Sequence, residues 1–424
     1  MRFFIYNLGC KVNGYDAAMM SKLLTDLGLK KTEKPSKADF IIVNSCTVTS
    51  KSDSKSKKML RHFKKENSKA KIILSGCMPQ VMSAEEIENL SADFVIGNNN
   101  ISELSEIVQN IPESKNEVKA HKNDEEFYED DIKYESEKTR AKLKIQDGCN
   151  QFCSYCIIPF ARGRARSMPL EKVFQKIDLI DAEGFKELVL VGINLSRYME
   201  DKCESLIKVI DYANGKKNIE RIRLGSLEYD NITDEFLMSL SKIEKFCPHF
   251  HLSLQSGSDK ILKNMNRHYT ALDYAKKIEK IRNIFDDPAI TTDIIIGFPG
   301  ETEKDFEETL DFVKKIRFEK VHAFPYSLRK GTKAAKMQQV PDDIKKQRTK
   351  ELIGVSEEIR EEFLKNQIGK KHLVLTEKVS QDSIFGYTKN YIPVKIYGGT
   401  MERNQLVEVV ITGVKDGFCI SENK

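Results

Sequence analysis

Cys149, Cys153 and Cys156 stand at spacings of four and three residues in "DGCNQFCSYCIIPFARGRARS" (147–167), and three arginines follow them. A closed structural zinc or iron–sulfur site takes four protein ligands, usually as two separated cysteine pairs, whereas a cluster that acts on a bound molecule keeps one position open. CxxxCxxC therefore reads as three ligands to a [4Fe–4S] cluster with one free iron. The amino and carboxylate groups of S-adenosylmethionine can chelate such an iron, and an electron from the reduced cluster then cleaves the sulfonium to a 5′-deoxyadenosyl radical. Phe152 and Tyr155 lie between the ligands, where their rings can shield and position the cluster. The competing reading is an incidental cysteine group or half of a zinc site.

A second cysteine set emerges from the strand pattern. "RFFIYNLGC" ends at Cys10, "ADFIIVNSC" at Cys46 and "AKIILSGC" at Cys77, each an apolar strand-like run closed by a cysteine and followed by helix-like sequence. In a parallel α/β sheet the loops after the strands leave from one edge, where ligands bind. Three cysteines distant in sequence thus converge on one rim as a second three-thiol iron–sulfur site. Each alone would read as a packed small hydrophobe.

The same alternation resumes from residue 141. Strand-like runs end near Asp147, Gly192, Gly225, Gln255, Gly297 and Tyr326, with helical patterns at about 169–184, 203–214, 233–242, 270–284 and 303–316. This predicts a partly open barrel of six strand–helix units with its chemistry at the C-terminal rim. The candidate cosubstrate contacts at that rim are Tyr155, Gly192, Asn194, Ser226, Glu228, Gln255, Asp293 and Gly297; helix caps or turns would account for the same residue types. "FPGE" (298–301) has the look of a structural turn.

The remaining segments organise the chain. Residues 1–110 read as the α/β domain of Cys10, Cys46 and Cys77, 111–140 as a charged linker, 141–340 as the barrel, 341–368 as a connecting helix and 369–424 as a small β-barrel. In that tail Tyr387, Tyr391 and Phe418 are either stacking surfaces for RNA bases or core. Residues 51–71 carry nine Lys or Arg against two acids, a basic face beside Cys46 that suits phosphates unless it is only solvated. Arg162, Arg164 and Arg166 hold either RNA phosphates or the cosubstrate's carboxylate.

Composition bounds the class. With 424 residues the chain suits two or three domains, and nine cysteines with no secretory leader indicate a reducing cytoplasm and metal ligation. No stretch approaches the roughly 18 apolar residues of a membrane span, so no membrane partner is expected. A net charge of +5 permits a nucleic-acid partner. Seven scattered histidines give no serine–histidine–acid arrangement.

Together, three dispersed cysteines, a CxxxCxxC barrel and a β-rich tail resemble the radical S-adenosylmethionine methylthiotransferase family over essentially the whole chain. Similar stretches include "GCNQFCSYCIIPFARGRARS", "LQSGSDKILKNMNRHYT", "DIIIGFPGET" and "FPYSLRKGTKAA". The tail resembles the TRAM module, an RNA-binding accessory. The resemblance implies two [4Fe–4S] clusters and S-adenosylmethionine as cofactors, with Cys149, Cys153 and Cys156 on the radical-forming cluster and Cys10, Cys46 and Cys77 on the one that presents sulfur. It further implies a methyl group from a second S-adenosylmethionine, an electron donor such as flavodoxin or ferredoxin, and a sulfur source.

Substrate class follows the motif after the first strand. Members acting on isopentenyladenosine in tRNA resemble "GCQMN" there, those acting on a ribosomal-protein aspartate "GCPKN", and those acting on threonylcarbamoyladenosine "GCKVN". This chain has "LGCKVNGYD" at 8–16, which implies N6-threonylcarbamoyladenosine immediately 3′ of the anticodon in tRNA. The carboxylate of that nucleoside would pair with one of Arg162, Arg164, Arg329 or Lys330. The chain departs from the family at Glu228–Tyr229, where many members have Glu-Pro. A non-enzymatic RNA-binding iron–sulfur protein would explain the basic face and tail but not an open iron.

Overall fold

The computed structural model describes residues 1–98, 101–109, 118–119, 139–398 and 402–422, so the linker expected over 111–140 lies largely outside the described residues. The chain forms two compact units. The first draws on residues within 1–134, 144–168 and 327–335, the second on residues within 135–143, 169–326 and 336–424. No helix among the described residues is long and apolar enough to cross a membrane.

The first unit is built on a six-stranded parallel sheet in the spatial order Lys30–Lys31, Arg2–Asn7, Phe40–Ser45, Lys71–Gly76, Phe94–Ile96, Val118–Lys119. Its central strand Phe40–Ser45 is buried along its whole length, as a strand covered on both faces must be. Side chains alternate across the pleat. Ile42 accordingly joins one core with Phe3, Met20 and Leu104, while Ile41 joins the opposite core with Leu60, Phe63 and Ile72. Each such burial contributes about 1.5–3 kcal/mol relative to exposure, enough to fix the register that decides where every strand ends. Helix Lys11–Asp26 starts directly after Cys10, and helix Ser50–Glu66 is capped by Thr49, whose hydroxyl accepts the Ser52 N–H.

The second unit carries the barrel strands. Arg140–Lys144, Glu187–Val191 and Arg221–Leu224 form one sheet; Ser226–Leu227, His249–Leu252, Ala289–Ile296 and Lys320–Pro325 form another. The third strand is shared between them, broken at Gly225, whose N–H bonds to Leu190 O at 2.8 Å. Neighbours from Glu187–Val191 onward run parallel within each sheet. Among the described residues the first and last strands do not pair, so the succession of six is an open barrel. Helices Leu170–Ala182, Glu204–Asn214, Asp234–Leu240, Ala271–Ile284 and Glu303–Ile316 match the periodic segments read from the sequence within a few residues. A short helix at Asp259–Asn264 has too few turns to show a period.

The long helix Asp342–Lys365 leads into a six-stranded, mainly antiparallel sheet between Lys371 and Glu422, whose core of Val374, Ile384, Val394, Ile396 and Cys419 packs with Leu364 of that helix. The tyrosines offered as base-stacking surfaces are engaged internally. Tyr387 and Tyr391 stack on each other at 4.2 Å, with the Arg223 guanidinium 3.5 Å from the Tyr391 ring centroid and Arg140 5.3 Å from both rings. Each ring thus has one face on the other, and Arg223 covers the second face of Tyr391. Phe418 packs edge-on with Phe385 at 5.8 Å and lies under Lys395.

Candidate iron–sulfur sites

Cys10, Cys46 and Cys77 follow three neighbouring strands, and the sheet register brings them together. Gly9 holds φ +108°, and a Cβ there would come 2.9 Å from the Cβ of Cys46, so only glycine lets the first strand-end loop lie this close to the second. Asn13 of the "GCKVN" motif joins the set. Its Nδ2 donates to Leu8 O at 2.9 Å and Ser45 O at 2.8 Å, while its Oδ1 lies 3.5 Å from Cys10 Sγ and 3.9 Å from Cys77 Sγ. Asn98 Nδ2 approaches Cys77 Sγ at 3.8 Å.

Cys10 is exposed, whereas Cys46 and Cys77 are buried. Burial pushes the Cys77 thiol up to about 12, with Arg162 working against it and Cys10, Cys46 and Asp16 adding to it. Burial likewise raises Cys46. Burial thus favours the protonated thiol at Cys46 and Cys77, where a metal would favour the thiolate. Three sulfurs in one electrostatic neighbourhood, one open to solvent, are a donor set suited to a soft metal.

The CxxxCxxC loop belongs to the same compact unit. Its three cysteines are half-buried and outside any disulfide, and the loop closes on itself through Cys149 N–H to Gly163 O at 3.1 Å and Cys156 N–H to Cys153 O at 2.9 Å. Gly148, at φ +68°, starts it; a Cβ there would fall 1.9 Å from Arg164 O. Tyr155 is half-buried in the loop, and Phe152 is exposed, under the Arg164 guanidinium at 4.4 Å from its centroid. Three thiols on one tight loop, none cross-linked, fit a three-legged cluster.

The arginines after the loop divide by burial. Arg162 is 1% exposed and bonds through Nη1 to both carboxylate oxygens of Asp147 (2.9 and 3.1 Å), and through Nη2 to Asp16 Oδ2 (2.9 Å) and Asn13 Oδ1 (2.8 Å). Arg166 is buried and donates to Arg162 O at 2.8 Å. Arg329 is buried against Asp53 and Thr47. Arg162 and Arg329 are thus taken up inside the protein, which corrects their candidacy for a substrate carboxylate or phosphate; Arg164 and Lys330 remain exposed. Sequence reasoning missed Asn13, Asp16, Asp147 and Asn98 as partners of the site. The only available signal for Asn13 was its place in the motif.

The candidate cosubstrate residues of the second unit sit at or near strand ends. Gly192 follows Glu187–Val191, Ser226 opens the continuation of the third strand, and Gln255 bonds through its N–H to Asp293 O at 2.8 Å with φ +73°. Asn194 Oδ1 accepts from Ser196 Oγ at 2.8 Å, and the same hydroxyl accepts the Glu228 N–H at 3.1 Å, which ties two rim loops together. The Glu228 carboxylate is ion-paired with buried Arg267. Tyr229, at the family departure, opens a 3₁₀ turn and packs its ring 4.8 Å from that of Tyr269, which keeps the loop ordered without a proline. Asp293 lies inside its strand and faces His251 Nε2 at 3.2 Å. Gly297 (φ +68°) donates to Glu301 Oε1 at 3.0 Å, and Glu301 is bound in turn by Arg348 at 2.8 Å, so "FPGE" is a braced turn with Phe298, Pro299 and Glu301 buried and Gly300 exposed.

Comparison with known proteins shows the family. Residues 143–313 match the radical SAM superfamily, and residues 2–97 match the family described as "Uncharacterized protein family UPF0004". The chain is 35% identical to a Bacillus subtilis protein named threonylcarbamoyladenosine tRNA methylthiotransferase MtaB, over 99% of this chain and 95% of the relative. It is 36% identical to a Caldicellulosiruptor saccharolyticus protein named tRNA-2-methylthio-N(6)-dimethylallyladenosine synthase, over 96% and 86% respectively. The structure of the radical S-adenosylmethionine methyltransferase TsrM from Kitasatospora setae shares the fold with a TM-score of 0.59 at 13% identity, over 79% of this chain and 76% of that one. On the strength of its full-length relatives, with a thiol loop and a second thiol cluster built as described, the chain belongs to the radical S-adenosylmethionine methylthiotransferase family.

Proposed function

We propose that this protein converts N6-threonylcarbamoyladenosine in tRNA to its 2-methylthio derivative. The observation that carries the reading is the convergence of Cys10, Cys46 and Cys77 around Asn13, in the same compact unit as the CxxxCxxC loop. A single radical cluster gives no reason for a second three-thiol site, whereas delivery of sulfur to a carbon does. The motif "LGCKVN" and the named relatives support the threonylcarbamoyl substrate, while relatives named for dimethylallyladenosine make that nucleoside the second reading.

When bound, the two [4Fe–4S] clusters and S-adenosylmethionine would supply a carbon-centred radical, a sulfur atom and a methyl group. An adenine C2–H is not acidic enough for base chemistry at neutral pH, so the task of this chain is positioning and exclusion of water. Cys149, Cys153 and Cys156 hold one cluster, and Cys10, Cys46 and Cys77 hold the other. Tyr155, Gly192, Asn194, Ser226, Glu228, Gln255, Asp293 and Gly297 are the residues we assign to S-adenosylmethionine. Arg164 and Lys330 are the cations left to meet the threonylcarbamoyl carboxylate. Helix Ser50–Glu66 exposes Lys51, Lys55, Lys58, Arg61 and Lys65, a stripe that suits tRNA phosphates.

We assign residues 1–110 to sulfur delivery, 141–340 to radical formation and 369–424 to a TRAM-like RNA-holding role. The reaction needs an outside electron donor, such as flavodoxin or ferredoxin, and a sulfur source. A cytoplasmic setting, where thiols stay reduced, suits nine free cysteines.

The test is mass analysis of tRNA nucleosides from cells with and without the chain. Gain of 2-methylthio-N6-threonylcarbamoyladenosine supports the proposal; gain of the dimethylallyl derivative instead transfers the activity to the second reading. Neither product, with no 5′-deoxyadenosine released on reduction, would leave only an iron–sulfur RNA-binding protein.

A further inference from the structure

Arg162 belongs by sequence to the radical loop but by contact to the other cysteine site. It follows Cys156 by six residues, yet its Nη2 donates at 2.8 Å to the same Asn13 Oδ1 that lies 3.5 Å from Cys10 Sγ and 3.9 Å from Cys77 Sγ. Its neighbour Ala161 is held there too, because Asn98 Nδ2 bridges Ala161 O (2.9 Å) and Cys77 Sγ (3.8 Å). Two independent side chains therefore stitch the segment after the radical loop to the strand-end thiols.

The guanidinium sits in a buried charge cluster of Arg162, Lys144, Asp16 and Asp147. Two cations and two carboxylates leave this cluster without net charge as a whole, but the charges are not equally placed. Arg162 and Asp16 act on the Cys77 sulfur with opposite sign, and Arg162 acts on Cys46 as well.

We propose that Arg162 is a positioning residue for the Cys10/Cys46/Cys77 site, which locks Asn13 against two of the ligands and sets the reduction potential of the cluster held there by its buried positive charge, with Asp16 as the opposing charge. A three-thiolate cluster gains negative charge on reduction, so a nearby cation favours the reduced form and a nearby carboxylate disfavours it. Low exposure keeps both terms from being screened by salt. The inference rests on the assignment of those three cysteines to a cluster.

The experiment uses the full chain with Cys149, Cys153 and Cys156 replaced by alanine, reconstituted anaerobically so that one cluster remains. Redox titration followed by electron paramagnetic resonance then reads its potential. Arg162→Gln should shift the oxidised-to-reduced ratio at fixed potential at least tenfold toward oxidised, about 59 mV for a one-electron couple. Asp16→Asn should shift it in the other direction, and Arg162→Lys, which keeps the charge, should stay within threefold of the parent. Should Arg162→Gln fail to fold, the sign of the Asp16→Asn shift decides. Potentials that ignore both charges would overturn the inference, as would failure of all three variants to hold iron, which would leave Arg162 a structural residue. A parent protein without any cluster would instead sink the ligand assignment itself.

Discussion

Arg162 Nη1 bonds to both oxygens of the Asp147 carboxylate, at 2.9 and 3.1 Å, with both side chains withdrawn from solvent. Burial alone would raise the Asp147 carboxyl; Arg162, then Lys144 and Arg166, instead hold it below the usual carboxylate range. Because the cations are buried as well, removing their shared partner leaves them uncompensated. Asp147→Ala should lose about 3–5 kcal/mol of stability, read by anaerobic urea unfolding of the metal-free protein. A loss below about 1 kcal/mol would mean that water reaches this cluster.

A second expectation concerns Gly148. An alanine there would need a left-handed backbone and would drive its Cβ into Arg164 O at 1.9 Å, so the loop that carries Cys149 must shift. Gly148→Ala should therefore retain less than about half of the iron of the radical loop. Gly184→Ala is the control, since Gly184 is also left-handed (φ +77°) but has nothing within 4 Å of an added Cβ. Equal iron in the two variants would show that the loop carrying Cys149 tolerates a Cβ at Gly148.

Division of labour between the sites gives a third. The reconstituted chain should bind about eight irons in two clusters. With Cys10, Cys46 and Cys77 all alanine it should still release 5′-deoxyadenosine on reduction but form no methylthiolated tRNA; with Cys149, Cys153 and Cys156 all alanine it should do neither. Circular dichroism and retained tRNA affinity control for loss of fold, because metal binding can contribute to folding. Full methylthiolation by the first variant would return Cys10, Cys46 and Cys77 to the class of structural cysteines.

Much of this site is legible in the sequence for a definite reason. Strand runs at 2–7, 40–45 and 71–76 are parallel neighbours, and a parallel sheet sends every strand end to one edge, so cysteines placed one to three residues past the strands must meet. Pairings across the fold are not legible in this way. Arg162 and Asp16 are 146 residues apart, and in the sequence Arg162 is indistinguishable from Arg164, two positions on, which is exposed. Charge type is a local property; which of two charges is buried is decided by packing between distant segments. Tyr387 and Tyr391 make the same point, since aromatic residues on a β module suit either an open platform or the packed cation stack found here.

A pH dependence follows from Asp305, the third residue of helix Glu303–Ile316, which closes a capping box with the N-cap Thr302. Burial pushes its carboxyl up, but bonds from Lys260, Thr302 and Ser258 overcome this and bring it down to about 2, against an ordinary 3.8. A depressed carboxylate stabilises the fold fully above its unfolded value and loses that contribution as pH falls toward its folded value. Asp305→Asn should thus cost about 2 kcal/mol at pH 7 and roughly half of that at pH 3. Denaturant unfolding of both proteins at the two pH values checks this; a gap that widens toward pH 3 would have the wrong sign.

The last prediction concerns the basic helix. Lys51, Lys55, Lys58, Arg61 and Lys65 recur at spacings of four and three along Ser50–Glu66, are all exposed, and have no ion-pair partner among the described residues, whereas Lys64 is paired with Asp93. The helix starts four residues after Cys46, so a strand of RNA that follows the stripe is led to the thiol site. If these cations meet phosphates, each contact releases counterions, and the slope of log K against log salt falls by about 0.7–0.9 for every contact removed. The variant Lys55→Gln/Lys58→Gln/Arg61→Gln should lower the tRNA-binding slope by about 2, weaken binding alike for tRNAs with and without the modified adenosine, and leave 5′-deoxyadenosine release unchanged. The proper comparison is Lys64→Gln, which removes one charge from the same helix at an occupied position and should leave the slope near that of the parent. Equal slopes for the triple variant and the parent would make this a solvated face, and the RNA contacts would have to be sought in residues 369–424.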